Sequence, residues 1–104
     1  EKDLAVLGLM LSAITPKLRE RFKLRDEAEG VVVTGVKEGS AAANRQIRPG
    51  DIISKVGPEH VVVKQPSQIR KLVENARKAN RKTIIVLVER EGGRRFVPIK
   101  INKG

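Results

Sequence analysis

Runs of aliphatic residues with a two-residue period alternate along the chain with runs in which apolar residues recur every three or four positions. The two-residue period is typical of strands, and the longer period of helices that bury one side. Pro98 has no N–H to donate, so the last strand is expected at a sheet edge. Aliphatic and β-branched residues predict strands over six stretches: 4–13, 31–36, 51–56, 61–63, 83–90 and 95–101.

Three stretches carry the signals of helix starts. Thr15-Pro16 predicts a short helix, because threonine caps an N-terminus and proline fits the first turn. Ser40 precedes a run of alanines, and Pro66 begins the longest helix, with Ser67 as its expected cap. One apolar stripe recurs in that helix, and it predicts packing against the sheet; its members are Ile69, Leu72, Val73, Ala76 and Ala79.

The most distinctive segment covers 39–53, Gly-Ser-Ala-Ala-Ala-Asn-Arg-Gln-Ile-Arg-Pro-Gly-Asp-Ile-Ile. Its first half predicts a capped alanine helix. Pro49 and Gly50 then stand in the order that a type II turn requires. A strand is expected to begin at Asp51, so the segment predicts a helix, a tight turn and a strand in immediate succession.

Length and composition indicate one domain, expected to span 1–104, with an aliphatic core, since Phe22 and Phe96 are the only aromatic residues. The elements predict an α+β fold: a partly open antiparallel barrel or sandwich of five or six short strands with two or three helices. The chain has no cysteine, which excludes disulfides and thiolate chemistry. No apolar run reaches the roughly 18 residues of a membrane-spanning helix. Because the chain begins at Glu1 and not at a methionine, we expect it to be a fragment of a larger protein.

The charge of the chain is strongly positive, with 22 Lys and Arg residues against 12 Asp and Glu, a formal net charge of +10. Such a charge attracts polyanions, so a polyanion-binding domain is one alternative function. However, the chain has no Trp or Tyr to stack on bases, and its basic residues are scattered among acidic ones. Nucleic acid is therefore not the expected partner.

Catalysis is not expected in this chain. His60 is the only histidine and stands in a predicted turn, so no Ser-His-Asp arrangement can form. None of the serines lies in a Gly-x-Ser-x-Gly segment, and one histidine without clustered carboxylates makes no metal site. We expect no catalytic residue, no metal and no cofactor.

The segment Leu7-Gly8-Leu9-Met10-Leu11 is the candidate binding site. Alternation places Leu7, Leu9 and Leu11 on one face of a strand, which by itself is also typical of a plain core strand. If the helix from Pro66 packs beside this strand, the two enclose an apolar slot. The amides around Gly8 would close one end of the slot and could meet an anion such as a peptide carboxylate, while a strand edge could add the peptide itself.

Together these motifs resemble the PDZ domains of the HtrA (Deg/Do) family of periplasmic serine proteases, in their bacterial, circularly permuted strand order. The segments 18–22 and 95–97 resemble the second, C-terminal PDZ domain more than the first. The resemblance spans nearly the whole chain and is carried by Leu7-Gly8-Leu9, Leu11, Thr15-Pro16-Lys17-Leu18, Phe22-Lys23-Leu24, Gly30-Val31-Val32-Val33-Thr34, Gly39-Ser40-Ala41-Ala42, Arg48-Pro49-Gly50-Asp51-Ile52-Ile53 and Val88-Glu89-Arg90.

The resemblance implies carboxylate binding by the backbone of Leu7, Gly8 and Leu9. It implies a non-catalytic domain that binds hydrophobic C-termini or extended segments of unfolded polypeptides by β-strand addition. The domain would regulate or present them for proteolysis by an absent trypsin-like domain, as part of periplasmic protein quality control and stress response. An alternative is a docking module, with an unused groove, for other domains or subunits of the protease. The expected groove residues are Leu9, Met10, Leu11, Ile69, Leu72, Val73 and Ala76.

The chain departs from the family pattern at two places. Gln46 stands where the family usually has glycine, which predicts a helix end that needs no left-handed residue. Gly57-Pro58-Glu59-His60 replaces the usual Asn-Gly, so a wider hairpin is expected there.

Overall fold

The predicted strands join in one antiparallel sheet with helices packed on it. The computed structural model describes residues 4–6, 8–26, 28–90 and 93–101. Within these ranges the elements in chain order are β1 (Leu4–Val6), β2 (Leu9–Ala13), α1 (Pro16–Arg21), β3 (Val31–Val36), α2 (Ala41–Asn44), β4 (Ile52–Val56), β5 (Val61–Val62), α3 (Pro66–Lys78), β6 (Thr83–Arg90) and β7 (Gly93–Lys100).

The sheet is open, with β1 and β7 at its two edges. The strand order is β1-β2-β3-β4-β6-β7, and the short β5 pairs with β4 beside this path. The predicted α+β, partly open antiparallel architecture with three helices is confirmed. Pro98 lies in β7, so its predicted place on an edge strand is confirmed as well.

One expected strand is two. The aliphatic run over 4–13 was predicted to be continuous, but the chain reverses at Gly8, whose φ is +81°. β1 therefore folds back on β2, with Leu4 opposite Leu11 and Val6 opposite Leu9. This reversal raises the number of strands from the six predicted stretches to seven in the described residues.

The core is aliphatic, as predicted. Ile69, Val73 and Ala76 of the predicted α3 stripe are buried on the inner face of the sheet, whereas Ala79 is exposed after the last residue of the helix. Phe22 is only half-buried and Phe96 is 54% exposed, so neither aromatic ring fills the centre. The core cluster also contains Leu9, Leu11, Val31, Val33, Ile53, Val56, Val86, Val88 and Ile99.

Side chains cap the helices, although one cap is not the predicted residue. Thr15 Oγ1 accepts from Leu18 N at 3.1 Å, and Ser40 Oγ accepts from Ala43 N at 3.2 Å, as predicted. The cap of α3 was wrong: the N-cap is Gln65, and Ser67 lies inside the helix. Pro66 occupies the first helical turn, and the side chain of Gln68 folds back to accept from Gln65 N at 2.9 Å.

The turn after α2 combines a confirmed and a wrong prediction. Gly50 has φ +97°, and Asp51 N donates to Arg48 O at 3.1 Å, as a type II turn requires. Gln46, however, has φ +66°, so the helix does end in a left-handed residue. Its carbonyl accepts from Arg90 Nη2 at 2.8 Å, a bond that holds the strained backbone in place.

Candidate functional site

The candidate site lies where β2 and α3 meet. β2 pairs with β3 along one edge, and α3 contacts both β2 and β1. The predicted packing of the longest helix beside the first leucine strand is thus confirmed, and an open apolar slot between them stays a prediction. Its two walls are one strand and one helix, held against each other by aliphatic side chains.

The Gly8 turn closes one end of this arrangement. Gly8 O accepts from Lys37 N at 2.8 Å, which ties the turn to the end of β3. A Cβ added at Gly8 would lie 2.8 Å from Ser40 Oγ and closer still to Ser40 Cβ. Only glycine satisfies both the positive φ and this approach. Leu7 lies outside the described residues, so its part in carboxylate binding stays a prediction.

Five of the seven predicted groove residues are buried together. Leu9 and Leu11 are completely buried, and they share one core cluster with Ile69, Val73 and Ala76. The structure therefore brings these five together. Because they are buried against one another, a peptide side chain can enter only after this part of the structure opens.

Leu72 and Met10 lie differently from the buried groove residues. Leu72 is half-buried and packs against the edge of the core cluster, so part of its surface is available. Met10 is 41% exposed and lies over Gly35, since a Cβ added at Gly35 would lie 3.3 Å from Met10 Cγ. Alternation puts Met10 on the face opposite Leu9 and Leu11. Its role as a groove residue stays a prediction.

A strand missed by the sequence interpretation lies along the site. β1 runs antiparallel to β2 on the edge that β3 leaves free, and Ala5 stands opposite Met10. A peptide that added to β2 would need this same edge. The signal was present in the sequence, because a glycine flanked by two β-compatible runs also suits a tight hairpin.

Hydrogen bonds from two arginines, Arg90 and Arg19, stabilise the fold. Asp51 is 2% exposed and accepts from Arg90 Nε and Nη2, both at 2.8 Å. Arg19 Nη1 donates to the carbonyls of Asp26 and Ala28, which fixes the loop after α1. These arginines therefore stabilise loops, and the polyanion-binding alternative stays a prediction.

His60 lies on the surface beside an aromatic ring. Its ring centroid is 5.2 Å from that of Phe96, and its φ is +56°, within the turn between β4 and β5. Among the described residues there is no group of three or more His, Cys, Asp or Glu side chains that could hold a metal ion. None of the described helices is long and apolar enough to cross a membrane.

Comparison with known families matches this chain to one domain type. A family model described as "PDZ domain" matches residues 32–90. The matched range begins in β3 and ends in β6, and it includes the α2 helix, the type II turn and α3. The distinctive segment 39–53 therefore lies entirely within the match.

Curated relatives are longer proteins. A "Probable periplasmic serine endoprotease DegP-like" from Bartonella henselae is 41% identical over 78 residues, which are 75% of this chain and 15% of that protein. A protein of the same name from Rhizobium meliloti is 30% identical over 104 residues, which are 100% of this chain and 18% of that protein. This chain spans less than a fifth of these relatives.

Solved structures share the fold. The HtrA3 PDZ domain bound to a phage-derived ligand, FGRWV, superimposes with a TM-score of 0.71 at 22% identity, covering 93% of this chain and 84% of that one. The HtrA-type protease AlgW with a decapeptide gives a TM-score of 0.71 at 28% identity, covering 91% of this chain and 28% of that one.

Proposed function

Since this chain belongs to the PDZ domain family, we propose that it is a non-catalytic domain that binds the hydrophobic C-terminal ends of polypeptides by β-strand addition along β2. The resemblance to PDZ domains of HtrA-type proteases is confirmed by the named relatives. The position of this domain as the second, C-terminal one stays a prediction.

The observation that carries the proposal is the alignment of β2, α3 and the Gly8 turn. β2 has one edge away from β3, α3 lies along that edge, and the turn stands at its end. Backbone N–H and C=O groups on such an edge bind an extended peptide irrespective of its sequence. The apolar side chains beside the edge then select an aliphatic or aromatic last residue.

The carboxylate would bind at the Gly8 turn. A turn with a positive φ leaves successive amide N–H groups without strand partners, and such groups suit an anion. Lys37 N donates to the carbonyl of Gly8, and Ser40 lies against Gly8. The amides of the turn are therefore positioned before a ligand arrives. The carboxylate would be bound by the backbone of Leu7, Gly8 and Leu9.

Two similar solved structures are described with peptides, which supports the same role here. One is an HtrA3 PDZ domain with a phage-derived ligand, and the other is AlgW with a decapeptide. The curated relatives are named as periplasmic serine endoproteases. We therefore propose that this chain is one domain, over 1–104, of a larger periplasmic serine endoprotease. There it would regulate or present unfolded substrates.

A docking module is the second candidate, and one observation favours it. Leu9, Leu11 and Ile69 are buried, and β1 covers the edge of β2, so the groove is closed in this structure. A domain whose groove is never used would look the same. Its partner would then be another domain or subunit of the protease.

The test is calorimetric titration of a short peptide ending in Val against two matched peptides. One has the same sequence with an amidated C-terminus, and the other ends in Asp. We expect amidation to weaken binding by about tenfold or more, because the charge-assisted hydrogen bonds are lost. The Asp peptide should also bind weakly, since its side chain is charged. Equal affinity for the acid and amide forms, or no binding of either, contradicts carboxylate capture and favours docking.

A protein variant locates the groove. Leu72→Ala truncates a half-buried side chain of α3 and should lower the affinity for the Val-ending peptide severalfold. Leu18→Ala, which truncates a half-buried leucine of α1, is the matched control and should leave the affinity unchanged. An equal effect of the two variants would place the binding site elsewhere.

A further inference from the structure

The edge of β2 that a peptide would use is occupied by the chain itself. β1 pairs with β2 along this edge, in the register Leu4 to Leu11, Ala5 to Met10 and Val6 to Leu9. β3 takes the other edge, so β2 has no free side in the described structure. α3 contacts β1 as well as β2, which places β1 beside the same helix that forms one wall of the candidate groove.

β1 also runs in the direction that a bound C-terminal peptide would take. It is antiparallel to β2, and its last residue, Val6, stands opposite Leu9, next to the Gly8 turn. A peptide whose carboxylate is bound at the turn must likewise have its last residues beside Leu9 and run away from the turn toward Leu11. β1 thus has the position and the polarity of the proposed ligand.

The two would compete for the same hydrogen-bonding groups. Two residues separate Val6 from Leu9, and such hairpins close with a hydrogen-bonded pair. Hydrogen-bonded and non-bonded pairs then alternate along antiparallel strands. Leu9 and Leu11 therefore direct their N–H and C=O groups toward β1. Met10 O accepts from Thr34 Oγ1 at 3.1 Å, so Met10 directs its carbonyl toward β3, as this alternation requires.

We propose that β1 is an internal substitute for the peptide, so that a ligand binds by displacing Leu4–Val6 from β2 and not by adding to a free edge. This inference rests on the proposed peptide-binding function and adds its regulation. β1 has three residues and two hydrogen-bonded pairs, whereas β3, the other neighbour of β2, has six residues, so β1 leaves β2 at a lower cost in free energy than β3 does. The apparent affinity then equals the intrinsic affinity multiplied by the fraction of molecules in which β1 has left.

A reversible cross-link tests the competition. In the double variant Ala5→Cys and Met10→Cys, the two cysteines occupy the non-bonded pair, whose Cα atoms lie about 4.5 Å apart, within the range of a disulfide. The chain contains no other cysteine. We expect the oxidised form to bind the Val-ending peptide at least about 30-fold more weakly than the same protein after reduction and alkylation, because the lock removes the open state.

Release of β1 should have the opposite effect. Replacing Leu4-Ala5-Val6 by Gly-Ser-Gly keeps the length of the chain and removes the β-forming side chains. If about one molecule in ten is open in the unaltered chain, this variant should bind up to about tenfold more tightly. Hydrogen exchange gives a readout without ligand: the Leu9 and Leu11 amides should be protected in the unaltered chain and should lose that protection in the variant. The amides of Val31 to Val33 serve as the internal control.

The outcomes separate this inference from the proposed function. If the oxidised protein binds as well as the reduced protein, β1 does not compete and the inference is wrong, while peptide binding stands. Unprotected Leu9 and Leu11 amides in the unaltered chain overturn it in the same way. If neither the reduced protein nor the Gly-Ser-Gly variant binds the peptide, the proposed function fails, and the inference fails with it.

Discussion

Gly8 lies against Ser40, the residue that caps α2. A Cβ at position 8 would stand 2.8 Å from Ser40 Oγ, closer than van der Waals contact allows, so the backbone or Ser40 would have to move. The two segments that made the sequence distinctive, one around Gly8 and one from Gly39 to Ile53, therefore meet in space. The turn at the mouth of the candidate groove is supported by the helix that the family match contains.

Gly8→Ala should destabilise the protein more than an alanine at another left-handed glycine. Gly57 has φ +86°, close to +81° at Gly8, but nothing lies within 4 Å of a Cβ added there. Gly57→Ala is therefore expected to cost about 1–2 kcal/mol from backbone strain alone. Gly8→Ala should cost about 1–3 kcal/mol more, because Ser40 must also move.

Urea unfolding of the two variants measures this difference directly. Equal free energies of unfolding would mean that the Gly8 turn moves away from Ser40 without cost. The Gly8 turn would then not be a preformed site.

Arg90→Ala should destabilise the protein by roughly 3 kcal/mol, because it leaves a buried carboxylate without its cation. Asp51 is held by two bonds of 2.8 Å from Arg90 and by Arg48 N at 3.0 Å. The control is Arg94→Ala: this arginine is 66% exposed and pairs with Glu89 at 3.5 Å. Its loss should cost less than about 1 kcal/mol. Chemical denaturation of both variants checks the order, and a larger loss for Arg94→Ala would contradict it.

Gln46→Gly should stabilise the protein by about 0.5–1 kcal/mol. Gln46 has φ +66°, a conformation that costs a side chain about 1–2 kcal/mol and costs glycine nothing. Its contact with Arg90 uses the backbone carbonyl and survives the substitution. Glycine's greater freedom in the unfolded chain offsets part of the gain.

Gln46→Ala, which keeps the strain, is the control and should leave the melting temperature nearly unchanged. A melting temperature for Gln46→Gly at or below that of Gln46→Ala would show that the backbone at this position is not strained.

Two residues of β7 should differ sharply when truncated to alanine. Ile99 is completely buried in the aliphatic core, whereas Phe96 is mostly exposed and contacts His60. Ile99→Ala should cost about 2–5 kcal/mol through the cavity that it leaves. Phe96→Ala should cost less than about 1 kcal/mol, despite removing the larger side chain. Thermal unfolding measures both, and a greater loss for Phe96→Ala would contradict the aliphatic core.

Local sequence signals predicted most elements of the fold. Thr15 and Ser40 cap helices because their hydroxyls reach amides three residues ahead. Pro49-Gly50 makes a type II turn because proline and glycine favour its dihedral angles. Ser67 was expected to cap α3 for the same local reason, but Gln65 takes that position, since Gln68 can fold back to its amide. Gln65 and Ser67 both have side chains that can accept a hydrogen bond from an amide at the start of a helix. Their positions in the sequence do not show which of the two is the cap.

The period of the α3 stripe and the alternation of Leu9 and Leu11 correctly predicted that the strand and the helix pack together. The structure buries these residues in the core cluster, and their role as groove residues stays a prediction. The same alternation did not reveal that Leu4–Val6 folds back, because a continuous strand and the two arms of a hairpin at Gly8 have the same two-residue period. Whether the chain forms the continuous strand or the hairpin depends on which backbone N–H and C=O groups are left unpaired at the edge of the sheet.

By itself, the sequence determined the helices and strands, the aliphatic core, the type II turn and the family, all of which follow from side-chain period and short-range backbone preference. Only the tertiary structure decided that β1 covers the edge of β2, that Gln46 is left-handed and that Gly8 touches Ser40. The physical reason is that each feature depends on groups distant in the chain. α3 contacts both β1 and β2, Arg90 holds the carbonyl of Gln46, and Ser40 fills the space where a side chain at position 8 would stand.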